Sequence, residues 1–222
     1  VRGSLTSDAL RDEDLLQNPG DVLKFKKGVG STLLLACGAL GREIVWLIER
    51  NGLKHLDVQC LPASLHHTPG KIPDAVRDQI RANKDKYEKI FVLYGDCGTA
   101  GALDRVLEEE GGIERISGPH CFSFFWGNEA FAEYGEEEIT TFYLTDFFCR
   151  SFDKFVWQAF GLDRNKNMVD FVFGNYEKVV FMPQTDDPSL ERKAQEIAAR
   201  LGLEYERRFV GYGELETAIQ RA

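Results

Sequence analysis

The chain has 222 residues, 43% hydrophobic and 28% charged, which suits one sizeable globular domain or at most two small ones. Its formal net charge of −9, with Lys and Arg scattered along it, speaks against nucleic-acid binding, since nothing offsets repulsion from phosphates. No apolar run approaches a membrane span and no secretory pattern opens the chain, so no membrane association is expected and the expected compartment is the cytoplasm.

Residues 1–30 read as a polar N-terminal arm. Val1-Arg2-Gly3-Ser4 resembles an expression remnant, and a short helix is expected over Ser7 to Gln17 before Pro19-Gly20. The ordered core is expected to start near Ser31. Thr32-Leu33-Leu34-Leu35-Ala36 is a continuous apolar run, the form of a strand covered on both faces. It ends at Cys37-Gly38. A helix follows with Leu40, Ile44, Leu47 and Ile48 on one face, and Asn51-Gly52 stops it.

His55 to Leu61 is a second strand, closed by Pro62, and a loop carrying His66-His67 leads to a helix from about Pro73. Lys89 to Tyr94 is a third strand. It hands over through Gly95-Asp96-Cys97-Gly98 to a helix over 99–110, which Gly111-Gly112 ends. Ile113 to Ile116 suggests a short strand, while His120 to Gly127 fits strand or helix. Further on come a strand over Thr140–Leu144 and a helix from Asp146, placed to cap it, to Phe160. A strand over Val179–Met182, a helix opened by Asp187-Pro188, a strand over Leu203–Phe209 and a helix over Gly213–Ala222 complete the chain. Strands alternating with helices, with no Pro/Gly/Ser-rich linker, predict a single three-layer αβα domain over 31–222 with a mostly parallel, Rossmann-like sheet.

In a parallel sheet the residues after each strand gather along one edge. Cys37, Cys97 and the His66-His67 loop belong to that edge, and Cys121 joins them if the Ile113 segment is a strand. Three thiols with an imidazole suit zinc, and three thiolates also suit an iron–sulfur cluster. Neither Cys-x-x-Cys nor His-x-x-x-His occurs, so topology carries this reading rather than a local motif. Five cysteines form no secreted disulfide framework, and in a reducing compartment each is free, metal-bound or reactive.

The expected metal ligands are Cys37, Cys97, Cys121 and His67. His66 and Asp96 are the candidates for acid/base work, Asp96 also for orienting a ligand. Either histidine of the pair fits either role. His120, if charged, would lower the Cys121 thiol. Glu43 reads better as a solvated helix charge than as a site carboxylate. Cys60 and Cys149 read as core residues. Gly95, Gly98 and Gly101 offer a second use of the loop, with backbone N–H groups turned to a phosphate or other anionic cofactor. The pattern is neither Gly-x-Gly-x-x-Gly nor a Walker motif.

Leu35-Ala36-Cys37-Gly38 with Glu43, Leu61-Pro62 with Leu65-His66 and Pro69, Tyr94-Gly95-Asp96-Cys97-Gly98, and His120-Cys121 before Trp126-Gly127 together resemble the uncharacterised family labelled domain of unknown function 1638. The resemblance spans roughly Leu33 to Phe209. It implies a neighbourhood of corrinoid-dependent methyl transfer from methylated amines or betaines. The expected function is then a zinc-thiolate enzyme of methyl-group or one-carbon metabolism, working with a small-molecule methyl donor or acceptor and a corrinoid protein. The alternatives are a non-catalytic iron–sulfur or corrinoid-binding accessory protein, and a thiol-redox or nucleotide-binding module.

Overall fold

The structure is a computed structural model describing residues 10–16, 23–25, 31–135, 139–165 and 167–222. It is mixed α/β with mostly parallel strands flanked by helices, as the alternation predicts. The strands lie in two sheets. The architecture is consistent with the expected three-layer αβα domain, and within it the chain divides into two compact units, 1–124 with 214–222, and 125–213.

In the first unit, β1 (Leu23–Phe25), β2 (Thr32–Cys37), β3 (Leu56–Leu61) and β4 (Lys89–Leu93) form a sheet in the order β1-β3-β2-β4. β2 and β3 are buried at every position, so both faces of the sheet are covered. The helices are α1 (Asp12–Leu15), α2 (Gly41–Asn51), α3 (Ile72–Asn83) and α4 (Ala102–Glu109). α2 turns Ile44, Val45, Leu47 and Ile48 inward. It ends at Gly52, whose φ of +62° lets its N–H close on the Ile48 and Glu49 carbonyls.

β2 pairs in parallel with β3 on one side and β4 on the other. The connections from β2 and β4 therefore leave in opposite directions. The edge between their carboxyl ends is the switch point where open α/β sheets bind ligands. The order β3-β2-β4 puts Cys37, at the end of β2, beside the loop after β4.

Three expectations change here. The core does not begin at Ser31, because β1 pairs antiparallel with β3 through Leu23↔Cys60 to Phe25↔Val58. In the arm, α1 is shorter than the expected helix, and Leu10 and Leu15 are buried; residues 7–9, 17 and the Pro19-Gly20 pair lie outside the described residues. The Ile113–Ile116 segment makes only a single parallel bridge, Val92↔Arg115. Val92 N–H donates to Glu114 O at 3.0 Å and Ile116 N–H to Val92 O at 3.0 Å. That is enough to lay the segment beside β4 and deliver residues 118–121 to the same edge.

The chain passes into the second unit along α5 (Ser123–Trp126), a helix in the stretch that fitted either type. There follow α6 (Asn128–Gly135), β5 (Thr141–Leu144), α7 (Asp146–Phe152), α8 (Asn167–Phe173), β6 (Lys178–Phe181), α9 (Pro188–Leu201) and β7 (Glu204–Arg207), and α10 (Gly213–Arg221) returns to the first unit. β5, β6 and β7 form a parallel sheet in that order. Asp187 caps α9 by accepting from Ser189 N–H at 2.8 Å. The cap of α7 is Thr145 rather than Asp146. Asp146 is wholly buried one position inside and accepts from the Gln184 N–H, the Thr185 N–H and the Thr185 hydroxyl. From Asp153 to Gln158 the chain after α7 winds in the wider π form.

Candidate metal centre

Two glycines at the first unit's sheet edge, Gly38 next to Cys37 and Gly95 two residues before Cys97, each admit a second piece of chain. A β-carbon on Gly38 would lie 2.5 Å from Leu15 O, 2.9 Å from Leu61 O and 3.1 Å from Ala63 N. With hydrogen there instead, the end of β3 closes on Cys37 and the 3-10 turn Ala63–His67 starts against it. A β-carbon on Gly95 would lie 2.9–3.0 Å from the His120 backbone. That approach is locked by Asp96 N–H to Gly118 O at 2.9 Å and Cys97 N–H to Pro119 O at 2.8 Å. The first glycine brings His66 to Cys37, and the second brings Cys121 to Cys97.

The result is one cluster. Cys97 Sγ and Cys121 Sγ are 3.4 Å apart. His66 Nδ1 is 3.7 Å from Cys37 Sγ. The ligand atoms of Cys37, His66 and Cys121 all lie within 4.8 Å of one another, and this group can hold a metal ion. The imidazole Nδ1 is 3.1 Å from Ala63 O; donating there fixes the tautomer and leaves the Nε2 lone pair available, the usual arrangement of a ligating histidine. Cys37 Sγ accepts from Ala39 N–H at 3.3 Å. Cys97 holds a φ of +48°, costly for a side-chain-bearing residue and typical of functional sites.

The charges agree with this placement. Contact with Cys121, then burial, raises Cys97; at Cys121, contact with Cys37 raises the thiol and outweighs the hydrogen bond with Cys97, which lowers it. Burial by itself would lower the His66 imidazole, but its hydrogen bonds to Cys121 and Cys97 outweigh burial and raise it to about 10. A cation at the centre of these sulfurs, whether imidazolium or metal ion, is what their electrostatics favour.

Other expected residues lie elsewhere or do something else. His67 is exposed and outside the group that His66 joins. The Asp96 carboxylate accepts from the Thr99 hydroxyl at 2.9 Å, Ala100 N–H at 3.1 Å and Gly101 N–H at 2.8 Å. These bonds, Gly101 foremost, hold it below the usual carboxylate range. Of the amides of the Gly95–Gly98–Gly101 loop, those of Ala100 and Gly101 are thus engaged by the protein's own carboxylate. Gly98 and Gly101 adopt φ of +83° and +76°, which fits them to this turn.

His120 stacks on Phe122 with ring centroids 5.0 Å apart, and burial, foremost, lowers its imidazole. Glu43 is not a solvated charge: it is buried at 5% exposure, and after burial itself its charge is what pushes the Cys60 thiol up to about 12. Cys60 and Cys149 are both buried, as core residues are. The residue to which the sequence assigned no role is Tyr94. It is fully buried, its ring stacks on His66 with centroids 6.4 Å apart, and its hydroxyl has no hydrogen-bond partner among the described residues.

The profile of the family described as Protein of unknown function (DUF1638) matches residues 60–219. The chain belongs to this family. Three members of the cluster, His66, Cys97 and Cys121, lie within the DUF1638 match, and Cys37 precedes it. No curated protein matches the chain. Among the described residues no helix is long and apolar enough to cross a membrane.

Proposed function

We propose that this DUF1638 protein is a zinc-thiolate enzyme of methyl-group metabolism, with Cys37, His66 and Cys121 as ligands and Cys97 beside them. The observation that carries the metal is the convergence of three thiols and one imidazole from four separate segments. Sulfurs bound to one zinc at about 2.3 Å stand about 3.8 Å apart in a tetrahedron, and the group's ligand atoms lie within 4.8 Å of one another. That separation favours a single ion over a cluster, which has to fit its own iron and sulfide between the cysteines. Two thiolates and an imidazole suit zinc by ligand softness. Three protein ligands also leave a fourth tetrahedral position for a substrate, the catalytic pattern.

Zinc bound there would lower the pKa of a substrate thiol and present it as a nucleophile. With its proton released to solvent, a thiolate held there would take the methyl group of a methylated carrier, forming a carbon–sulfur bond while the carrier kept the electron pair of the bond that breaks. The carrier this reading names is a corrinoid protein, and the small-molecule partner is a methyl donor or acceptor; both come from the family resemblance and the chemistry of the ligand set.

The test is metal analysis and a visible spectrum of untagged protein purified without oxygen, followed by incubation with methylcobalamin and a thiol. A colourless protein holding zinc, and loss of the methylcobalamin spectrum that depends on the metal, are expected. Brown protein with broad visible absorption indicates an iron–sulfur accessory role instead. Metal-free protein that keeps full activity contradicts the proposal.

A further inference from the structure

Tyr94 directly follows β4 and is fully buried, yet its hydroxyl has no hydrogen-bond partner among the described residues. Leaving a buried hydroxyl unpaired costs about 1–3 kcal/mol, so such a group calls for an explanation. Its surroundings supply one. The ring lies nearly parallel to His66, at 14°, with centroids 6.4 Å apart. After burial, the charges that act on the phenol are thiols, with Cys37 first, then Cys121, Cys97 and Cys60. A neutral thiol asks little of a neighbouring donor. A thiolate is an anion with several lone pairs, and a buried O–H beside it is a strong partner.

We propose that Tyr94 is a positioning residue of this site, its hydroxyl donating a hydrogen bond to a metal-bound thiolate of the cluster. The inference rests on the reading of the cluster as a metal-thiolate centre. It adds a device to it. The hydroxyl is unpaired in the metal-free fold, and a bond to a metal-bound sulfur relieves that defect. Donation to the sulfur also withdraws charge from it and tunes the electrophilicity of the ion. Tyrosine delivers this donor from a rigid ring that His66 flanks, which holds the two groups in register.

The experiment compares wild type, Tyr94→Phe and Tyr87→Phe as full chains, metal-free under reducing anaerobic conditions and loaded with cobalt(II). Tyr87 is the control, since its hydroxyl already donates to Asp57 at 3.0 Å. For Tyr94→Phe, the sulfur-to-cobalt charge-transfer band is expected at longer wavelength, because a sulfur without its hydrogen bond is more easily oxidised. Metal affinity is expected to fall on the order of 10-fold. The metal-free variant is expected to melt no lower than wild type, and up to about 2–4 °C higher, because the unpaired hydroxyl is gone. Tyr87→Phe should leave the band in place.

An unmoved band and unchanged affinity in Tyr94→Phe overturn the inference while leaving the metal centre standing. An equal loss of stability in the metal-free and loaded forms also overturns it, since that is the mark of packing alone. Wild type that takes up neither cobalt nor zinc removes the metal centre and this inference with it.

Discussion

Gly95 and His120 are in backbone contact: a β-carbon on the glycine would stand 2.9 Å from the histidine carbonyl carbon and 3.0 Å from its Cα. Backbone cannot swing aside as a side-chain tip does. Gly95→Ala is therefore expected to destabilise the fold by about 1–3 kcal/mol and to part Cys121 from Cys97. Gly70→Ala, with open space around it, is expected within about 0.5 kcal/mol of wild type. Urea unfolding of the two variants checks the contrast, and zinc titration checks the separation of the thiols.

Removal of individual thiols is expected to sort them. Cys37→Ser and Cys121→Ser should each weaken metal binding on the order of 100-fold or more, since they remove ligands rather than supports. Cys60→Ser and Cys149→Ser should keep the wild-type metal stoichiometry, because both thiols are buried and outside the group whose ligand atoms converge. Metal content after dialysis against a chelator of graded strength reads all four.

The two histidines of the 3-10 turn should behave oppositely. His66→Ala is expected to lose metal affinity, and His67→Ala, at an exposed position, to retain it. A competitive zinc titration measures both.

Asp104 and Arg115 tie α4 to the segment that delivers Cys121. Arg115 donates to both carboxylate oxygens, Nε at 2.5 Å and Nη2 at 2.8 Å, and its Nη1 reaches Ile116 O at 2.9 Å. The Arg115 bond holds the Asp104 carboxyl below its ordinary value of 3.8. A carboxylate depressed in the fold contributes stability at pH values above its unfolded pKa, and that contribution fades as pH falls through the folded one. Asp104→Asn is expected to be less stable than wild type at neutral pH, with the gap closing only below about pH 4. Because Asp104 is half exposed, the gap should be small and should shrink in high salt. Denaturation midpoints across pH measure it.

How much of this was legible beforehand depends on what each residue's neighbours in sequence reveal. Apolar runs that stop at Cys-Gly or Gly-Asp-Cys announce buried parallel strands and a common edge, and that brought Cys37 and Cys97 together in advance, with Cys121 joining them on the condition that the Ile113 segment ran beside β4. Which of His66 and His67 turns inward was not legible, since successive residues on a 3-10 turn point about 120° apart and either could face the thiols. Glu43 was misjudged although it stands four residues before buried Leu47, on the same helix face. β1 is three residues long and β5 to β7 are no longer than four, too short for periodicity to show which sheet they join. Asp96 carried a visible turn signal in Thr99 three residues on, and the loop's own closure takes its carboxylate. Tyr94 gave no sign, because an unpaired hydroxyl is a property of the packed fold and not of the sequence around it.

The most direct test of the central claim is metal content of untagged protein prepared without oxygen, for wild type beside Cys121→Ser. About one zinc ion per wild-type chain, lost in Cys121→Ser while the fold persists, is the expected result. Wild type that neither contains a metal ion nor takes one up, with its thiols reduced, contradicts it.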